Sequence, residues 1–438
     1  MVSISLIGLG KLGLCTACCF ASKGVCVYGY DKNANSVEKI KAGIAPIVEP
    51  QISEYMEKAQ DNLTVVDDVL EAVKNSSMTM IIVPTPSGDD GMFINDYVIR
   101  VLEDIAPAIK AKSDFHIVNV VSTVMPGSSE QIFVPLLEKL TGKRCGKDFG
   151  LLYNPEFIAI GSVIKNFLNP DLILIGASDQ RSADFCSKVY LQIVDNDPMV
   201  KTMSLLNAEL TKLSINCYVT TKISFANALA NLCEYLPGAD VDVVADAVGS
   251  DSRVGSKYIK GGLGFGGPCF PRDNQAMIAL GEHLGMGASD MLGNNVVHIN
   301  NSVVERVCSA AVEGDLRKGA KISVFGLAYK QNTPLVECSQ GIDILKKLHK
   351  NGYVLSGWDE LAIEQAGEVL PDEIELTNDF YKCAGGSDVL IFAANVMPVI
   401  DWDKIRSIAS GARIIDCWRR FKETPPDKFD YIPLGIGR

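Results

Sequence analysis

At 438 residues the chain is too long for a single hydrophobic core, so two or three domains are expected. A hydrophobic fraction of 47% and a charged fraction of 21% describe a globular protein, and a net charge of −12 speaks against nucleic acid or an anionic membrane surface as a partner. Thirteen cysteines without dense, regular spacing read as reduced thiols, and hence a cytoplasmic setting, rather than as a disulfide framework.

The first twenty residues are apolar, but Lys11 interrupts them and glycines fall at Gly8, Gly10 and Gly13, so a signal peptide is not expected. No uninterrupted apolar run reaches about 18 residues, so no transmembrane helix is expected either. "ISLIGLGKLG" reads as a buried strand, a glycine turn and a helix start, and "VCVYGYD" as a second strand ending in Asp31. Gly8, Gly10 and Gly13 form the GxGxxG pattern. The first glycine permits the tight turn, the second lets a pyrophosphate reach the helix N-terminus, and the third lets helix and strand pack closely. Asp31 is placed to accept hydrogen bonds from a ribose 2′-hydroxyl and to repel a 2′-phosphate, which selects NAD over NADP; the adjoining Lys32 softens that exclusion.

"MTMIIVPTP", "FHIVNVVST", "FGLLYNPEF" and "DLILIGAS" continue an alternation of strands and helices to about residue 198, the signature of a parallel sheet. Thr123, Asn154 and Glu156 fall at or just after strand ends, where doubly wound sheets build their sites, although each residue type also serves turns and caps. A long helix is expected over roughly 201–236, ended by Pro237-Gly238 and about 50 Å long at 1.5 Å per residue. Its apolar residues, including Leu205, Leu213, Ile223, Phe225 and Leu229, occupy more than one face, which predicts a homodimer built on it. Lys212 and Asn216, four apart, share one side of this helix; taken alone they also suit a solvated surface.

Further on, "FGGPCFPRD" sets Cys269 in a shaped loop of glycines and prolines with Arg272 and Asp273 beside it. No Cys or His stands at metal-ligand spacing and the chain has only four histidines, so no metal is expected. A buried filler and a nucleophile both remain open for this thiol. The C-terminal part echoes the start: "ISVFGLAYK" repeats "ISLIGLGKL", "NGYVLSGWD" repeats "KGVCVYGYD", and "DVLIFAANVMP" repeats "MTMIIVPTP". The expected fold is α/β, with two Rossmann-like doubly wound parallel-sheet domains joined by a long central helix and a helical domain. The second half lacks the full glycine fingerprint and is expected to bind something other than a dinucleotide.

"GLGKLG", "VPTP" followed by Gly91 and Asp96, "STVMPG", "NPEF", "NPD", "ELTKLSIN" and "FGGPCFPRD" occur in this order and spacing along nearly the whole chain. In this the sequence resembles the UDP-glucose/GDP-mannose dehydrogenase family. The resemblance implies an enzyme that oxidises C6 of a nucleotide sugar twice, from alcohol to carboxylate, with two NAD. It divides the chain into an NAD-binding Rossmann domain (1–198), a central helical dimerisation domain (199–300) and a nucleotide-sugar-binding domain (301–438). Cys269 matches the family's catalytic thiol, and Lys212, Asn216, Asp273, Glu156 and Thr123 match positions around the reacting carbon. At the cofactor the resemblance places Leu12, Pro84, Thr85, Pro86, Ser122 and Lys330 beside the glycines and Asp31. At the substrate it places Phe157, Tyr258, Gly266 and Arg419, together with Arg253, which matches an arginine that reaches the partner subunit's site.

Several positions depart from the family pattern. Ile160 stands for an acid, Arg272 for a lysine and Glu337 for an arginine, and "DCWRRF" replaces a segment that commonly has glycine before its arginine. "NPEFIAIGSVIKNFLNPD" favours UDP-glucose as substrate. "APIVEP" and "MLGNNVVHINNSV" keep GDP-mannose open, and UDP-N-acetylhexosamines are a third choice. A β-hydroxyacid dehydrogenase shares the Rossmann domain, the helical domain and the Lys/Asn pair but has no need of Cys269. A non-catalytic nucleotide-sugar binder is the reading from another class. The three differ in yield: two, one or no NADH per substrate.

Overall fold

The computed structural model describes residues 2–314, 316–423 and 426–437, with the side chains of 288–291 outside the description; these include Met291, at the head of the "MLGNNVVHINNSV" segment. The chain forms two compact units, 1–214 and 215–438.

The first unit is built on an eight-stranded sheet: β1 (Ser3–Ile7), β2 (Cys26–Tyr30), β3 (Leu63–Val65), β4 (Met78–Ile81), β5 (His116–Val120), β6 (Phe149–Tyr153), β7 (Leu172–Ala177) and β8 (Met199–Met203), in the order β3-β2-β1-β4-β5-β6-β7-β8. β1, β4, β5 and β6 are buried through most of their length, as strands covered by helices on both faces must be. The order reverses between β1 and β4, the switch point at which such sheets open a crevice.

Two details differ from the sequence expectation. β7 runs antiparallel to β6, pairing Leu152 with Ala177 and Tyr153 with Gly176. The connection between the two strands carries only the short Val163–Leu168 helix, and β7 begins at the end where β6 stops. The long helix also starts later than expected, at Leu205, and runs to Glu234. Residues 199–203 instead form β8 on the edge of β7, and Ser204 begins the helix by accepting the Asn207 N–H on its Oγ at 3.3 Å.

The second unit carries a six-stranded, wholly parallel sheet: β9 (Lys321–Phe325), β10 (Val354–Trp358), β11 (Glu375–Thr377), β12 (Val389–Phe392), β13 (Arg413–Asp416) and β14 (Asp430–Pro433), ordered β11-β10-β9-β12-β13-β14. The echo between the halves is structural. Gly8 donates its N–H to the Tyr30 carbonyl at 2.8 Å, and Gly326 donates to Trp358 at 2.8 Å. Both glycines have positive φ, +98° and +107°. A Cβ on Gly13 would lie 1.8 Å from the Gly8 carbonyl oxygen, and one on Gly341 would lie 2.1 Å from that of Gly326. Two turns of the same shape, each closed by a helix glycine, place the C-terminal ends of both sheets as sites.

Candidate functional site

In the first unit the Gly8 turn leads into the Lys11–Ser22 helix, whose N-cap, Gly10, provides no side-chain cap. A Cβ at Gly10 would meet nothing within 4 Å, unlike those at Gly8 and Gly13. The turn therefore has open space over uncapped helix N–H groups, which is the cradle a pyrophosphate needs. Leu12 is half-buried beside it. Asp31 accepts the Leu9 N–H on Oδ2 at 2.6 Å and the Asn33 N–H on Oδ1 at 2.8 Å. One bond to each oxygen leaves acceptor capacity for ribose hydroxyls. Lys32 lies over the Tyr97 ring, its Nζ 5.1 Å from the centroid.

The loops after β4 and β5 are tied together. Ser122 accepts the Val83 N–H at 2.9 Å and donates to the Val83 carbonyl at 2.7 Å, and Thr85 donates to the Thr123 carbonyl at 2.6 Å. Pro84 and Pro86 are exposed on either side of buried Thr85. The Ser122 and Thr85 hydroxyls thus shape the loops, leaving the proline faces and backbone to meet a ligand. Glu209, fully buried on the long helix, accepts the Gly127 and Ser129 N–H groups at 2.6 and 2.8 Å and holds the loop that follows Thr123.

After β6, buried Asn154 is tied into the sheet by its bond to the Leu174 carbonyl at 2.8 Å, while the Glu156 carbonyl and the Phe157 ring meet the long helix. Lys212 Nζ donates to the Glu156 carbonyl at 2.7 Å and stands 4.5 Å from the centre of the Phe157 ring. The Glu156 carboxylate accepts from Tyr190 Oη at 2.7 Å. Burial pushes its pKa up to about 7, against the opposing effects of the Tyr190 bond and the Lys212 charge. A carboxyl in that range can take up and release a proton near neutrality. The following loop, including Ile160, is fixed by Glu49, a buried acid that accepts the Gly161 and Val163 N–H groups at 2.8 Å each. The sequence reading missed Glu49 and Glu209; the signal for Glu49 was a lone acid before proline in "APIVEP".

In the second unit Cys269 is the N-cap of the Phe270–His283 helix. It and Cys338 are the exposed thiols among the described cysteines. One turn into that helix, buried Asp273 accepts from Asn216 Nδ2 at 2.5 Å, and Arg272 Nε lies 4.0 Å from the other carboxylate oxygen. Asn216 follows Lys212 by one turn of the same continuous helix.

A cavity of about 540 Å³ opens at the C-terminal ends of β9, β10 and β12, within the range of small-molecule sites. Gly264, Gly266, Tyr329, Lys330, Trp358 and Trp418 contribute to its walls. Asp359 holds the place of Asp31 but not its freedom. Its two oxygens accept four backbone N–H groups, from Leu327, Ala328, Leu361 and Ala362, at 2.8 to 3.0 Å. Four backbone bonds fill both oxygens of this carboxylate, whereas Asp31 keeps acceptor capacity for a ribose.

Three further residues take distinct places. Arg419 is a brace: buried, with φ +56°, it donates to both oxygens of Asp242 and to the Leu434 and Gly261 carbonyls. Four of its five N–H donors are engaged inside the unit. Arg253 is exposed and paired with Asp251, and Tyr258 is exposed with φ +66°. Glu337 contributes its carbonyl, which accepts the Gly267 N–H at 2.9 Å. Among the described residues no group of three or more His, Cys, Asp or Glu side chains is arranged to hold a metal, and no helix is long and apolar enough to cross a membrane.

Three family models match the chain in sequence. The NAD binding domain of the UDP-glucose/GDP-mannose dehydrogenase family covers residues 2–194, its central domain 206–302 and its UDP binding domain 323–423. The chain belongs to the UDP-glucose/GDP-mannose dehydrogenase family. It is 33% identical over 411 residues to UDP-glucose 6-dehydrogenase AglM of Haloferax volcanii, covering 93% of each chain. It is 30% identical to a GDP-mannose 6-dehydrogenase of Pseudomonas syringae pv. tomato, over 94% of this chain and 95% of that one. Among solved structures it superposes on a UDP-glucose dehydrogenase from Pyrobaculum islandicum with a TM-score of 0.89 and 32% identity, over 100% of this chain and 98% of that one. The protein is thus an NAD-dependent nucleotide-sugar 6-dehydrogenase by family, with the Gly8–Gly13 cradle in its NAD binding domain and the 540 Å³ cavity in the unit that holds its UDP binding domain.

The Asp31 geometry predicts the cofactor preference within this family. A 2′-phosphate would stand beside the Asp31 carboxylate, while the adjoining Lys32 is held over Tyr97. Like charges so placed cost several kcal/mol, so kcat/KM with NADP should lie at least about 100-fold below that with NAD. Steady-state kinetics with both cofactors measure this, and equal efficiencies would contradict the role given to Asp31.

Proposed function

We propose that the protein is a UDP-glucose 6-dehydrogenase, converting UDP-glucose to UDP-glucuronate through a covalent intermediate on Cys269. The observation that carries this reading is the exposed thiol at the start of a helix, on a glycine strap that also walls the 540 Å³ cavity. The names of its relatives, UDP-glucose enzymes prominent among them, support the choice of sugar nucleotide.

Bound NAD supplies the hydride acceptor, one molecule for each oxidation. In the first oxidation Lys212 and Asn216, with ordered water, stabilise the C6 oxygen as its proton leaves, and C6 becomes an aldehyde. The Cys269 sulfur then bonds to that carbon, the aldehyde oxygen takes a proton, and the thiohemiacetal keeps the reactive group from escaping. Loss of a second hydride and of the hydroxyl proton leaves a thioester. Water positioned by Asp273 and Thr123 attacks it, Glu156 exchanges the proton, the carbon–sulfur bond breaks, and the carboxylate departs from a regenerated thiol. One alcohol and one water thus give one carboxylate and two reduced cofactors. A coupled NADH assay across UDP-glucose, GDP-mannose and UDP-N-acetylhexosamines tests the reading. Two NADH per UDP-glucose, with kcat/KM highest for that sugar, is the expected result; preference for another nucleotide sugar overturns the substrate, and a yield of one or none overturns the mechanism.

Glu156 gives this reading a pH signature. Its folded pKa, about 7, lies above the ordinary 4.5, so the folded protein binds the proton more tightly than the unfolded chain. Its contribution to stability is therefore greatest below pH 4.5 and declines as pH rises through 7. Glu156→Gln removes that decline. Melting temperatures from pH 5 to 8 should fall more steeply for the wild type than for the variant, and parallel curves would show that the carboxyl is not perturbed.

The assembly is proposed as a homodimer. Leu206, Leu210, Tyr218, Phe225 and Leu232 are exposed along the Leu205–Glu234 helix at spacings of four, seven or eight, which lines them along one side. Light scattering at micromolar concentration should return twice the 47.3 kDa chain mass; a monomer would remove both the dimer and the cross-subunit role proposed for Arg253.

A further inference from the structure

We infer that three carboxamides, Asn227, Asn300 and Gln340, are positioning residues that set the register of the strap carrying Cys269, and that Gln340 links this register to the occupancy of the nucleotide cavity. The inference rests on the reading above for the identity of the thiol and of the cavity's ligand.

Residues 261–267, GGLGFGG, are a run in which glycine supplies almost no side chains for anchoring. The strap is instead laced through its backbone, and each carboxamide uses both its oxygen and its nitrogen. Asn227 accepts the Gly262 N–H at 2.8 Å and donates to the Leu263 carbonyl at 3.3 Å. Gln340 accepts the Gly264 N–H at 2.6 Å and donates to the Asn300 carbonyl at 3.0 Å. Asn300 accepts the Phe265 N–H at 2.7 Å and donates back to the Phe265 carbonyl at 3.0 Å. All three side chains are buried, Asn227 to 1%, Gln340 to 6% and Asn300 to 7% residual exposure. Their polar atoms are therefore withdrawn from water and committed to one arrangement. The fit is close. A Cβ on Gly264 would lie 2.2 Å from both Asn300 Oδ1 and Gln340 Nε2, and one on Gly266 would lie 2.2 Å from the Cys338 carbonyl oxygen.

Cys269 follows the last laced residue by four positions and opens its helix directly, so a shift of the strap moves the sulfur. Gln340 also belongs to the wall of the cavity, as do Gly264, Phe265 and Gly266. It is the first residue of the Gln340–Lys350 helix, next to Gly341, which closes the Gly326 turn. A nucleotide in the cavity therefore meets the strap and its anchor together, and binding at that end is felt at the thiol through one side chain.

The test compares Gln340→Met, which keeps the length but loses both bonds, with Gln340→Glu, which keeps the oxygen that accepts Gly264. Iodoacetamide modification of the Cys269 peptide is followed by mass spectrometry, with and without UDP, and nucleotide-sugar kinetics are measured in parallel. The expected result for Gln340→Met is a change of at least fivefold in the Cys269 modification rate without ligand, and a fall in kcat of at least tenfold with KM within threefold. UDP should alter the modification rate in the wild type but by less than twofold in Gln340→Met, and Gln340→Glu should recover at least half of the lost kcat. A modification rate and kcat within twofold of the wild type in Gln340→Met, with or without UDP, overturn the positioning role. UDP that fails to bind the wild type, seen by calorimetry, overturns the cavity assignment instead, while the ligand-free modification rate still decides the role of Gln340. A uniform loss of kcat and KM that Gln340→Glu does not restore, with a lowered melting temperature, marks the residue as structural only and also overturns the proposal.

Discussion

Cys269→Ala should lower uronic acid formation by at least about 10³-fold, the scale of loss seen when a covalent nucleophile is removed. The fold has no reason to suffer, because the thiol is exposed and accepts no side-chain cap role at its helix start. Binding of the nucleotide sugar should therefore be almost unchanged, and the melting temperature should move by no more than a surface substitution allows. Cys269→Ser is the more informative variant. A hydroxyl is a poorer nucleophile toward an aldehyde, and the ester it forms hydrolyses more slowly than a thioester, so intact-mass measurement after incubation with NAD and substrate should reveal a covalent adduct on Ser but none in the alanine variant. Cys338, the other exposed thiol, serves as an internal control: an adduct on Cys338 in Cys269→Ala would assign the chemistry to the wrong sulfur. Two NADH per sugar from Cys269→Ala at near wild-type rate would mean that the glycine strap is structural.

The parts of this molecule that are legible in sequence are those set by local sterics. Gly8 and Gly13 are readable because any side chain there collides with backbone within a few residues or across one strand, and the repeat of that collision at Gly326 and Gly341 makes the second half legible as an echo. Direction and pairing are less so. β7 could not be read as reversed, since its apolar run is the same in either direction, and β8 was absorbed into the long helix because an edge strand of five residues carries too little period to separate them. The anchors of the site were illegible for another reason. Asn227, Asn300 and Gln340 act on a strap 35 to 76 positions away, and Asp242, which holds Arg419, lies 177 positions before it. Polar residues declare their type in sequence, but their partners only in space.

Lys212 shows how such a partner decides a mechanism, and Lys212→Met should lower kcat by about 10² to 10³-fold, the usual effect of removing one charge-stabilising donor from a reacting oxygen. The ammonium is buried to 7% residual exposure, which is costly for a cation unless it is well partnered. Its partners on the NPEF segment are the Glu156 carbonyl at 2.7 Å and the face of Phe157 at 4.5 Å. Methionine fills the same space without the charge, so the oxygen of the substrate loses its cation and the Glu156 carbonyl loses its donor. A second effect follows on Glu156. Lys212 holds the Glu156 pKa down against the larger effect of burial, so its removal lets the carboxyl rise further above about 7. Glu156 then stays protonated to higher pH, and the acidic limb of the kcat profile should move to higher pH in Lys212→Met. Lys212→Arg keeps the charge, which should leave that limb close to its wild-type position even if the broader guanidinium reduces the rate. Rate profiles from pH 5.5 to 9 separate the two effects: a kcat within tenfold of the wild type would remove Lys212 from the reacting oxygen, and an unmoved acidic limb would show that Glu156 does not sense the lysine.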